Sequence, residues 1–138
     1  MRGAWIGCAA LAAALHVLFF VVESVLFPGT PAIQERFEAT TPEKVEAMRV
    51  LFLNQGFYNL FLAIGIFAGI GLAVRGTSER AQVAGRTIVT YSCLVMVGAG
   101  IVLLLTTGKA AGAVVQAAPP GLALLFGWLH ARAEPAQD

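Results

Sequence analysis

Charge is what this chain has least of. Of its 138 residues only 12% are charged, while 58% are hydrophobic, and an ordinary soluble domain carries about 25% charged residues. The mean hydropathy of +0.78 excludes both a soluble enzyme and a disordered tail, because neither covers itself with so little polar surface. Two cysteines are too few for a disulfide framework. A net charge of +1 provides no basic patch for nucleic acid, so no nucleic-acid partner is expected. No metal-ligand spacing, no phosphate loop and no nucleophile with a matching base is present, and no cofactor is expected. What is left is a small protein whose principal partner is the lipid bilayer.

The apolar residues are gathered into four runs long enough to cross a hydrocarbon core about 30 Å thick, at about 1.5 Å of rise per helical residue. The runs are about Trp5 to Phe27, Val50 to Val74, Thr87 to Thr106 and Ala111 to Leu129. Residues 1–138 therefore read as one integral, multi-pass membrane domain, an all-α four-helix transmembrane bundle. In the last run Pro119 and Pro120 remove two backbone donors and predict a kink or a short unwound stretch. Arg2 ahead of the first run could suggest a cleaved signal peptide, but the run is too long and holds Glu23 near its end.

The longest link, Pro28 to Arg49, has two helix-start signals. Thr30 before Pro31 and Thr41 before Pro42 each set a capping hydroxyl ahead of a proline at the first helical position. They predict a short amphipathic helix over about Ala32 to Glu38, and a second helix from Pro42 that runs directly into the second span. A tight turn is expected around Gly108 and Lys109. The antiparallel order of the spans puts Arg2, Arg75, Arg80, Arg86 and Arg132 on one side, and Arg36, Lys44, Arg49 and Lys109 on the other. The first side has the excess, which by the positive-inside rule assigns both termini to the cytoplasm, in a chain expected to lie in the cell membrane.

Polar residues inside the spans are few, and an intramembrane acid is a functional hypothesis by default. The first span contributes His16 and Glu23, on nearly one helix face but about 10 Å apart along the axis, too far for a bonded acid/base dyad. The second contributes Asn54, Gln55, Tyr58 and Asn59. Asn54 and Tyr58, and Gln55 and Asn59, stand at the four-residue spacing that stacks side chains. Together they cover about 140° of helix, a sector suited to a bundle interior. Gly65 and Gly69 continue it as a small-xxx-small pair for close packing, within the chain or in a homo-oligomer. The fourth span adds Gln116. In depth, Glu23, Asn54, Gln55 and Gln116 fall on one side of the membrane, with His16, Tyr58 and Asn59 deeper. This pattern predicts a polar intramembrane pocket under the Pro31 to Glu46 segment.

The run Asn54-Gln55-Gly56-Phe57-Tyr58-Asn59, with His16 and Glu23 in the span before it and Gln116 and Pro119 in the last helix, resembles a family of small four-helix bacterial membrane proteins. That family is known as domain of unknown function 1304. The resemblance covers nearly the whole chain and implies a four-span protein of the bacterial cell envelope; it supplies no activity, cofactor or substrate. Ser24 after Glu23, Phe27 at the end of that segment and Phe57 depart from the Met, Trp and Leu common in the family, changes that would reshape the pocket wall.

Three readings of the polar residues follow. They could line a site for a small amphipathic or cationic molecule, consistent with transport or sensing. They could belong to a membrane-embedded enzyme acting on a lipidic substrate, with Glu23 or His16 moving protons and Tyr58 donating. Or they could be interhelical glue in a ligand-free assembly protein. Each residue also has a plain alternative: Glu23 as an interfacial acid reaching the headgroups, His16 as a histidine bonded across helices, and Cys8 and Cys93 as reduced packing residues.

Overall fold

In the computed structural model, which describes Met1–Ala133, helix is the only regular structure among the described residues. Helix α1 spans Arg2–Phe20 and continues into a wide π-helical turn at Val21–Leu26 and a 3₁₀ turn at Phe27–Gly29. The short α2 follows at Pro31–Arg36, then α3 at Pro42–Arg75, α4 at Glu79–Thr107 and α5 at Ala110–Ala133. Four of these stretches, the one from Arg2 to Gly29 and helices α3, α4 and α5, are long and apolar enough to cross a membrane.

The helices outrun the apolar runs because the last turns of a spanning helix stand outside the hydrocarbon. At 34 residues, α3 is about 50 Å long, and its first turns carry Glu43, Lys44, Glu46 and Arg49. Arg49 Nη2 pairs there with Glu46 Oε1 at 2.8 Å. The largest shift of boundary is in the third span, which begins at Glu79 rather than Thr87. Ser78 caps it by accepting the Ala81 N–H at 3.2 Å, so the helix starts two turns before its apolar window.

Two more expectations change. Thr30 makes no side-chain cap on α2, whose start rests on Pro31 and on the Thr30 carbonyl, which accepts the Ile33 and Gln34 N–H groups at 3.0 and 3.1 Å, whereas Thr41 accepts the Lys44 N–H through its side chain at 3.4 Å. The proline pair does not unwind the last span: α5 is continuous through Pro119 and Pro120, and Pro120 is fully buried. The turn between α4 and α5 is closed as expected by Gly108, whose φ of +66° favours glycine and whose N–H donates to Leu104 O at 2.9 Å.

The chain divides into two units. One is the continuous segment Ala14–Ala63; the other joins Met1–Ala13 to the chain from Ile64 on. In the second unit small residues set the packing, as the weak hydrophobic drive between helices in lipid requires. A side chain on Gly69 would meet the Gly85 carbonyl at 2.9 Å and Val89 Cγ2 at 2.8 Å, and one on Gly100 would meet Ala117 Cβ at 2.8 Å. The Gly65 and Gly69 stripe is thus used for contact within the chain.

The Glu23 and Asn59 site

The π turn is the local feature that sets this site, and no residue pattern announced it. An α-helix bonds each N–H four residues back; here the Phe27 N–H reaches Val22 O, five residues back. Such one-turn widenings are rare and concentrate at functional sites. This one carries Glu23 and Ser24. The turn is anchored to α3 by two kinds of contact. Ser24 Oγ donates toward the carbonyls of Leu53, at 3.2 Å, and Phe52, at 3.4 Å. Gly56 makes the approach possible, because a Cβ there would collide with the Ser24 hydroxyl and stand 3.4 Å from Phe20 Cα.

With the register fixed in this way, Asn59 Nδ2 donates to Glu23 Oε2 at 3.0 Å. Asn59 is 3% exposed and Glu23 is half-buried. One carboxylate oxygen is occupied by the amide, and an unsatisfied polar group among apolar helices would cost several kcal/mol. The pair is therefore a structural tie and a polar focus at once.

Beyond the pair, aromatic side chains close the site. Phe27, fully buried, stacks edge to face with Phe52 at 4.6 Å and with Phe37 at 6.1 Å, and Phe37 reaches Phe52 at 4.8 Å. Gln34 of α2 donates to Phe27 O at 2.9 Å and satisfies a carbonyl at the end of the first span. Phe20 and Phe57 make a further edge contact at 5.2 Å.

The polar sector of α3 is not buried as a whole. Asn54, Gln55 and Tyr58 are exposed, Tyr58 by 64%, and of the four only Asn59 turns inward. Buried in the same unit is His16, in edge contact with Phe19 at 5.3 Å. Gln116 is half-buried and belongs to the other unit. Gly56 and Gln34 had no assigned role in the sequence, and Ser24 and Phe27 stood out there only as departures from the family pattern. Gly56, inside the Asn54 to Asn59 run, was the signal that could have pointed to the close approach. Among the described residues no three of His, Cys, Asp and Glu are grouped so as to hold a metal ion.

Four helical stretches long and apolar enough to cross a membrane, with an acid on one joined to an amide on the next, define a helical protein of the membrane type. Residues 10–128 match the family model described as "Protein of unknown function (DUF1304)". The chain belongs to that family, as the Asn54 to Asn59 run with His16 and Glu23 suggested. No curated protein and no solved structure matches the chain.

Proposed function

We propose that the protein is a small-molecule-binding protein of the cell membrane, with both termini cytoplasmic, whose site is centred on Glu23. The ligand is an amphipathic molecule with a cationic or hydrogen-bond-donating head. The observation that carries this reading is the position of Glu23: a carboxylate inside a span, on a π turn, with Asn59 holding one oxygen at 3.0 Å. A cation that enters stabilises the ionised carboxylate, and in a medium of low dielectric that attraction is far stronger than in water; the exposed Asn54, Gln55 and Tyr58 of α3 are the further polar groups offered to a ligand head.

The same bond supports a second reading, in which Glu23 and Asn59 are interhelical glue with no ligand. Binding of radiolabelled tetraphenylphosphonium, an amphipathic cation, to the full chain in neutral detergent separates the two. The ligand reading expects saturable binding, weakened at least tenfold by Glu23→Gln and about threefold by Asn54→Ala, with the fold of both variants intact. The absence of saturable binding, together with lower thermal stability in Glu23→Gln and Asn59→Ala, would replace it with the glue reading.

A further inference from the structure

The unit made of Met1–Ala13 and the chain from Ile64 on contains a partly open cavity of about 610 Å³. It lies where α1 and α4 begin and α3 and α5 end, and its lining includes none of the residues named at the Glu23 site. Its described charges, both arginines, have one sign. Arg2 from α1, Arg86 from α4 and His130 from α5 line it, and no carboxylate does among the described residues. A further cation stands beside it, the Arg132 guanidinium lying 3.9 Å from the centroid of the Trp128 ring.

The rest of the lining is graded in depth. On α4 it runs from Arg86 through Val89 to Cys93, seven residues or about 10 Å along the helix axis. Trp5, nearly buried, forms a wall. Gly127 is what admits it, since a Cβ at that position would meet Trp5 Cδ1 at 3.0 Å. The mouth is therefore cationic and at helix ends, and the inner part is apolar. Tryptophans at such a level are characteristic of the membrane interface. Guanidinium groups converging from separate helices match the oxygens of a phosphate, which they bind as planar forks.

We propose that this cavity binds a net-anionic phosphate head group, with Arg2, Arg86 and His130 around the phosphate and Trp5, Val89 and Cys93 against an apolar body. A membrane lipid meets both requirements, and a soluble phosphate meets the first. Basic recesses between spanning helices hold anionic head groups by the same electrostatics.

The chain carries its own reporter, because its two tryptophans, Trp5 and Trp128, both line the cavity. The full chain in dodecyl maltoside is titrated with dihexanoyl phosphatidic acid, with dihexanoyl phosphatidylcholine as the zwitterionic control and inorganic phosphate as the soluble source, following tryptophan fluorescence. Phosphatidic acid is expected to give a saturable change, with phosphatidylcholine at least tenfold weaker. The Arg2→Gln/Arg86→Gln double variant should weaken phosphatidic acid at least tenfold. Arg2→Gln alone, at an exposed position, carries the same test with about a threefold loss if the double variant does not fold. Thr90→Phe, which narrows the cavity at an exposed lining residue, should weaken the lipid and leave inorganic phosphate unchanged. Inorganic phosphate binding as tightly as the lipid, and lost with the arginines, would support the head-group site and assign it a soluble source. No saturable change with either phosphate, equal binding of phosphatidylcholine, or arginine variants that bind like the parent would overturn the proposal.

Discussion

In the Ala14–Ala63 unit an acid is held by an amide, a serine is held by backbone carbonyls, and three phenylalanines close over the end of the span. In the other unit the only described acid is the exposed Glu79, and contact is made by glycines and alanines, with cations gathered at one end around a cavity. The contrast shows two ways of holding helices together where the surrounding lipid is as apolar as the side chains. Close backbone approach yields dispersion contacts over a long stripe. A polar tie yields direction, and it fixes which rotation of a helix is used. Breaking the polar tie halfway leaves either partner as a polar group without its hydrogen bond.

The comparison can be broken at its strongest points first. Phe27→Ala removes a fully buried ring in contact with Phe37 and Phe52, and should cost about 3 kcal/mol, the low end of the range for buried aromatics. Amide hydrogen exchange is expected to rise within Ala14–Ala63 while the α4 and α5 amides keep their protection. Equal loss of protection in both units would show that they unfold as one.

Gly85→Ala tests the other mode. Its Cβ would meet the Gly69 carbonyl at 2.5 Å and Leu72 Cβ at 2.8 Å, atoms with no flexible end to move aside. A loss of about 2 kcal/mol in denaturant unfolding is expected. An unchanged midpoint would mean that α3 and α4 do not rely on this approach. The smallest effect belongs to Asn59→Ala, about 1 kcal/mol, in keeping with hydrogen bonds inside membrane proteins. Asn59→Asp should be worse than Asn59→Ala, since it sets a second carboxyl against Glu23; the reverse order would remove the pair from the account of stability.

Much of the architecture was legible. The four spans, the short helix ahead of α3, the run of α3 from Pro42 and the turn at Gly108 all follow from apolar length, proline and glycine. Glu23 stood out as the one carboxylate in a span. The partner of Glu23 was not legible. Asn54, Gln55, Tyr58 and Asn59 are equivalent by composition, and spacing groups them without choosing among them. The choice is made by the rotation of α3 about its axis, which depends on Ser24 settling over Gly56. The π turn was hidden for a related reason: it replaces one hydrogen-bond register with another and needs no particular residue.

By itself the sequence determined that the chain is a helical membrane protein with one acid among its spans, because hydrophobic length and the cost of a charge in lipid are additive along the chain. Tertiary structure decided that Asn59 meets that acid, that the proline pair stays helical, and that Arg2, Arg86 and His130 share a cavity. Those outcomes depend on contacts between residues far apart in the chain, and such contacts are fixed only when one backbone packs against another.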